Sequence, residues 1–410
     1  MELFKHQIEA LESTKEHNRV AYYLDMGLGK TFVGSEKMKM LNSNINLIIC
    51  QKSKINDWIE HIKKYYPNYN IIKYNKTQPI PDNSVVIINY DLVWRREELR
   101  KLKNFTLMLD ESSYIKNEKS NRSKFILRLK PDNVILLSGT PTGGKYEELY
   151  SQCKLLGWDI TKKAYWSTYI RYKLIDIGGF KMPKVIGYKN TERLKRKLRE
   201  HGAVFMKTEE AFELPNQLHN EILVENTNWY KMFKKDRLLI HDDMELVGDT
   251  TLTKMLYMRQ LCGQYNKHKL DKIKELLEST EDRIIIFYNF KEEYEKIKSI
   301  CKKLDKPISV VNGSENDLSN YNNHENSIVL VQYQAGAMGL NLQLSNKIVY
   351  FTLPLSSELF EQSKKRTHRI GQDRTCMYYY LIVENSIEEH IFKVLEQRKD
   401  YTDKLFEMEM

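Results

Sequence analysis

Four short stretches of this 410-residue chain carry residue types in spacings that suit phosphate chemistry. Residues 24–31 read LDMGLGKT, at the end of the apolar run VAYYL and before a helical pattern. Gly27 and Gly29 let backbone N–H groups close on phosphate oxygens. The N-terminus of the following helix adds its partial positive charge. Lys30 is then placed to reach the outer phosphates of a nucleoside triphosphate, and Thr31 to ligate Mg²⁺. The longer GxxxxGK[ST] pattern asks for glycine at position 24, where this chain has Leu24, so the match is to the shorter GxGKT form. Residues 107–111, LMLDE, form an apolar run ending in two carboxylates. Asp110 suits the metal, and Glu111 suits a water that must be oriented or deprotonated. In LLSGTPTGG (136–144), Ser138 and Thr140 follow a third apolar run, where they can sit beside the carboxylates and sense the terminal phosphate. No NKxD stretch appears, which disfavours a guanine nucleotide.

The fourth stretch, EQSKKRTHRIGQ (361–372), sets Arg366 and Arg369 three residues apart. Two guanidinium groups held in one place need an anion, and nothing next to them in sequence supplies it.

These groups need elements to hold them. Apolar, β-branched runs at 45–50, 84–90, 105–111, 133–139, 283–290, 308–313, 327–333 and 347–354 lack polar alternation. That predicts strands buried on both faces of a parallel sheet. Helical patterns such as TFVGSEKMKMLN and KEEYEKIKSICKKL lie between them. Strand–helix alternation implies an α/β fold. From about 155 to 265 the alternation is interrupted by a mixed, aromatic and basic stretch with no clean strand series.

The length exceeds one ordinary core, so two domains are expected. A net charge of +10 and a pI of about 9.0 favour a polyanionic partner, nucleic acid first. Five scattered cysteines without a CxxC pair read as reduced thiols, with no zinc site and no disulfide frame. The charged start MELFKHQIEALESTKEH and the lack of a long apolar run predict a soluble, cytoplasmic protein, nucleoid-associated or acting in an infected host cell.

In order, FKHQ, DMGLGKT, LIICQKSKINDWIEHI, INYDLV, LDESSYIKN, LLSGTPTGG, IIIFYNF, QAGAMGLNLQ and QSKKRTHRIGQ resemble the Swi/Snf-type ATPases of helicase superfamily two. The resemblance covers nearly the whole chain. It implies an α/β fold of two RecA-like parallel-sheet lobes with ATP and Mg²⁺ in the cleft between them. The first lobe would span 1–215, with a helical, basic and aromatic insertion at about 155–215, and the second 216–410. Lys30, Asp110, Glu111, Arg366 and Arg369 would be catalytic, the arginines reaching the γ-phosphate from the second lobe. Gln7, Gly27, Gly29, Lys30, Thr31 and Gly339 would bind nucleotide, Gln7 through the adenine. Thr31 and Asp110 would hold the metal. Ser138, Thr140, Asn341 and Gln362 would couple nucleotide to DNA.

The chain departs from the family at Asp25, where glutamate is usual, at Thr142-Gly143-Gly144, and at Gln332-Tyr333-Gln334. Candidate nucleic-acid contacts are Lys52 and Ser53 beside Gln51, Asn89 beside Tyr90, Lys116 beside Asn117, and Asn289 and Gln334. The basic helix ERLKRKLRE (192–200) is expected near the DNA backbone. The implied activity is a DNA-dependent ATPase that moves on double-stranded DNA through backbone contacts with little sequence preference. The alternatives are an annealing or fork-remodelling helicase of repair or replication, and an ATPase that displaces proteins or recycles polymerase. With little beyond the two lobes, a compact prokaryotic or viral motor is the expectation, with no membrane partner.

Overall fold

The computed structural model describes residues 2–241, 244–336 and 340–406. The chain divides into a unit that runs through Phe212 and a second unit, Glu213–Lys399. In the first unit, strands β1 (Arg19–Leu24), β2 (Ile45–Cys50), β3 (Asn70–Lys73), β4 (Ser84–Asn89), β5 (Phe105–Asp110) and β6 (Asn133–Leu137) precede a two-stranded hairpin, β7 (Ile170–Ile177) and β8 (Phe180–Tyr188). Strand β9 (Ala203–Met206) follows. The main sheet has the order β3-β4-β2-β5-β6-β1-β9, and every pairing in it is parallel.

The apolar runs explain this sheet. Side chains alternate faces along a strand, and here both faces are covered. Ala21, Tyr23, Leu47, Ile49, Leu107, Leu109 and Leu136 enter one core. Val20, Tyr22, Ile48, Met108, Ile135 and Leu137 enter the other. Strand ends fall short of the runs read from sequence where the chain turns into loops. β5 stops at Asp110 because Glu111 adopts φ +57°, which no strand accommodates.

The second unit repeats the scheme. Strand β10 (Gln217–Val224) and the hairpin β11 (Leu238–His241) and β12 (Met244–Val247) come first. They are followed by β13 (Ile284–Tyr288), β14 (Ile308–Val311), β15 (Asn316–Asp317), β16 (Ile328–Gln332), β17 (Lys347–Tyr350) and β18 (Cys376–Val383). The order is β10-β18-β17-β13-β16-β14-β15, parallel except for the short β15. A buried ion pair fastens helix Lys267–Glu278 to helix Ile387–Phe406: Lys269 Nζ lies 2.7 Å from each Glu388 carboxylate oxygen. Each unit is an α/β fold built on one mostly parallel sheet.

The middle of the chain differs from the expectation. Its described residues form short strands and helices, and its insertion is only partly helical. Helix Lys162–Tyr169 leads into the β7–β8 hairpin, and helix Thr191–Glu200 follows. β9 and β10 then join the two sheets, against β1 and β18. β10 was hidden because it is an edge strand whose residues are mostly exposed.

All five cysteines are free and buried. Burial raises each thiol above its ordinary range, Cys301 to about 12. No described helix is long and apolar enough to cross a membrane.

Candidate active site

β5, β6 and β1 are neighbours in the first sheet, and being parallel they deliver their C-terminal ends to one edge. That edge is where open α/β sheets place ligands. The phosphate loop leaves β1 there, Asp110 ends β5, and Ser138 follows β6.

In the loop, Gly27 has φ +91° and Gly29 has φ +75°, the left-handed region that glycine enters without strain. Gly29 caps helix Lys30–Leu41, so Lys30 and Thr31 open that helix. Lys30 Nζ donates to the carbonyls of Leu24 at 3.0 Å and Asp25 at 3.2 Å, which folds the lysine back over the loop. Asp25 is buried, and its Oδ2 accepts from Thr208 Oγ1 at 3.1 Å.

Gln7 lies directly against this turn. Its Nε2 donates to Leu28 O at 3.1 Å, and its Oε1 accepts from Phe4 N at 3.0 Å. A methyl group at Gly29 would stand 2.2 Å from Gln7 Nε2. Gly29→Ala therefore has to adopt a left-handed backbone and push that amide off Leu28. The expected cost is about 2–3 kcal/mol, the sum of the backbone strain and one lost hydrogen bond. A thermal melt will show it as a lowered Tm, and an unchanged Tm would mean that the turn relaxes freely.

The two carboxylates are held differently. Asp110 is half-buried as a residue, but its carboxyl is enclosed, and Trp58 Nε1 donates to Oδ2 at 2.8 Å. Burial pushes this carboxyl above its usual range, opposed by the Trp58 hydrogen bond and by the charges of Lys30 and Lys54. Glu111 sits at φ +57° and ψ 65°, and its Oε2 accepts from Ser138 Oγ at 3.2 Å. A non-glycine residue held there stores strain, which clusters at sites of chemistry. Tyr90 fixes the turn by donating its hydroxyl to Asp110 O at 2.9 Å.

Ser138 Oγ also accepts from Thr140 N at 3.2 Å. Thr140 Oγ1 is buried with no hydrogen-bond partner among the described residues. A buried hydroxyl left open at the mouth of a phosphate loop fits a bound oxygen atom, so the donor set suits a triphosphate with its cation.

Two supporting residues were not singled out from sequence. Trp58 orients Asp110 from 52 positions away. Gln152 is wholly buried and ties the strand ends together: Tyr23 at 2.9 Å and Ser112 at 2.7 Å donate to its Oε1, and its Nε2 donates to Pro141 O at 2.8 Å. Trp58 lies within LIICQKSKINDWIEHI, but nothing in that stretch points to Asp110, and Gln152 lies in none of the quoted motifs.

The nucleic-acid candidates of this unit follow β2, β4 and β5, on the same sheet edge. Lys52 and Ser53 are exposed in the turn Lys52–Lys54. Asn117 is exposed, and Lys116 is half-buried. Asn89 is engaged locally as a helix cap, its Oδ1 accepting from Asp91 N at 3.0 Å and Leu92 N at 2.9 Å.

In the second unit, Arg366 and Arg369 lie in turns after helix Ser357–Lys364. They are not a solvated helix face. Arg366 is 1% exposed, whereas Arg369 is half-buried and donates to Asn341 Oδ1. Burial lowers the Arg369 pKa. Gln362 is buried within the helix, and Gln334 is exposed. Gly339 lies outside the described residues.

Asn289 is turned inward, donating through Nδ2 to Thr352 Oγ1 at 2.9 Å and Leu353 O at 3.1 Å. Beside it Glu293 is fully buried, and burial raises its carboxyl to about 7. Among the described residues no cluster of His, Cys, Asp and Glu forms a separate metal site.

The model of the SNF2-related domain matches residues 22–268, and that of the helicase conserved C-terminal domain matches 268–371. An uncharacterized ATP-dependent helicase of Mycoplasma pneumoniae is 23% identical over 93% of this chain and 39% of its own length. The putative ATP-dependent helicase/translocase YwqA of Bacillus subtilis is 26% identical over 94% and 46%. The ISWI chromatin-remodeling complex ATPase ISW1 of Saccharomyces cerevisiae is 23% identical over 93% and 38%. The chain thus spans less than half the length of these curated relatives. They come from bacteria and a eukaryote alike, so they do not single out a prokaryotic or viral source. A solved structure described as the Sulfolobus solfataricus SWI2/SNF2 ATPase core in complex with dsDNA aligns over 98% of this chain and 92% of its own, at 20% identity and a TM-score of 0.49. With more than half of its residues matched by the first model, the chain belongs to the SNF2-related family of helicase-like ATPases.

Proposed function

We propose that this protein hydrolyses ATP, with Mg²⁺, to move along double-stranded DNA. The observation that carries the reading is the convergence of Lys30, Asp110, Glu111, Ser138 and Thr140 at the ends of three adjacent strands. In this reading Lys30 leaves its carbonyl contacts for the β- and γ-phosphates. Glu111, held by Ser138, orients the attacking water. Thr140 offers its open hydroxyl to a phosphate oxygen. Thr31 and Asp110 would hold Mg²⁺, which neutralises charge across the phosphates. Trp58 and Lys30 favour the ionised Asp110 that this demands. Arg369 answers the charge that develops on the transferred phosphoryl group.

DNA enters from the basic charge, the exposed Lys52, Ser53 and Asn117, and the functions for which the relatives are named, a helicase/translocase and a chromatin-remodeling ATPase. Side-by-side ATPase rates with duplex DNA, single-stranded DNA and RNA test the reading. Duplex DNA should stimulate turnover most, and equal rates with all three would defeat it.

A further inference from the structure

The chain's excess charge is concentrated in one place. Residues 161–200 hold 12 Lys and Arg against 3 Asp and Glu, a net +9, while the whole chain is +10. This segment comprises helix Lys162–Tyr169, the β7–β8 hairpin and helix Thr191–Glu200. The hairpin and helix Thr191–Glu200 each carry a net +3 of it, and the two differ in kind. On helix Thr191–Glu200 the cations are largely paired: Lys195 with Glu192 at 3.1 Å, and Arg196 and Lys197 with Glu200. On the hairpin, Arg171, Lys173, Lys181 and Lys184 are all exposed, and none makes an ion pair among the described residues.

The hairpin also contains an arrangement that costs stability. Lys173 and Lys184 are directly opposed across the antiparallel ladder. Like charges so placed repel. The first unit's core does not require them, because both side chains are exposed and the core contacts of the hairpin come from Ile170, Val185 and Tyr188. A polyanion laid over the pair turns the repulsion into attraction. The hairpin is joined to the rest of the candidate surface through its base. Trp166 packs edge-on against Tyr172 of β7, with ring centroids 5.7 Å apart. Trp166 and Lys162 in turn line a cleft of about 150 Å³ with Lys116, Asn117 and Glu118, and Lys162 pairs with Glu118.

We propose that the β7–β8 hairpin is a further duplex-gripping arm, holding phosphates through the opposed Lys173 and Lys184 with Arg171 two residues along β7 on the same face. It, rather than helix Thr191–Glu200, is the contact that the segment's charge serves. A two-stranded ribbon fits the width of the major groove. The exposed Tyr172, Leu174, Met182 and Ile186 give it apolar surface to lay on sugars. The contacts are to backbone, so the arm adds affinity without sequence preference. This inference rests on the DNA reading above.

The test titrates a labelled short DNA duplex with the full chain over a salt series, for the wild type, Lys173→Ala/Lys184→Ala and Lys173→Arg/Lys184→Arg. Each lost phosphate contact lowers the log–log salt slope by about 0.9, so the alanine pair should flatten it by about 2 and weaken binding. The arginine pair should restore the wild-type slope. ATP turnover without DNA should be unchanged in both, which shows an intact fold. A slope identical in wild type and alanine pair overturns the arm and leaves the function standing. A wild type without affinity for duplex overturns both.

Discussion

Arg369→Ala will bind ATP nearly as the parent chain does and hydrolyse it about 10³–10⁵-fold more slowly, the range over which a phosphoryl-facing arginine acts. Its surroundings make Arg369 the better of the two arginines to test. Arg366 is buried, so truncating it opens a hole in the second unit and mixes catalysis with stability. Arg369 is half-buried and braced by Asn341, in a setting that already lowers its pKa. A guanidinium partly withdrawn from water gains from an anion that comes to meet it. Equilibrium binding of a non-hydrolysable analogue and single-turnover hydrolysis separate the two effects. Hydrolysis at the parental rate would remove Arg369 from the reaction. Arg369→Lys should recover only part of the loss, since an ammonium cannot reproduce the planar two-pronged donor.

The second large effect is expected at Glu111. Glu111→Gln keeps the shape, and Ser138 can still donate to an amide oxygen, so the turn at φ +57° should survive and the Tm should hold. Turnover should fall about 10²–10⁴-fold, the contribution typical of a positioned base. Stopped-flow phosphate release measures it. A rate equal to the parent's would assign the water to another group, Asp110 first.

The central strands were readable from sequence because their physics is local. Runs that are apolar on both faces, with at most one or two polar residues, as in β2, β5, β13 and β16, leave no polar face for solvent and imply cover on both sides. The loop at Gly27 and Gly29 and the acids after β5 were readable for the same reason, since their spacing is fixed along the chain. What stayed hidden depends on distant neighbours. β10 lies on an edge with most of its side chains exposed, and the β7–β8 hairpin pairs with no other strand and is exposed over most of its length, so neither shows a burial pattern. Trp58 and Gln152 matter through partners 52 and 129 residues away. Asn89 and Asn289 show the converse. Both stand at strand ends, where a polar residue invites a ligand, yet a helix cap and an inward network already engage their side chains.

The five enclosed, protonated thiols have a practical consequence. Maleimide dyes attack thiolates that they can reach, and this polypeptide offers none in its native state. A single cysteine installed on an exposed position of the β7–β8 ribbon becomes the sole labelling handle, with no background of natural cysteines to remove. Fluorophores could then report on that ribbon, one molecule at a time, while the parent sequence stays otherwise intact.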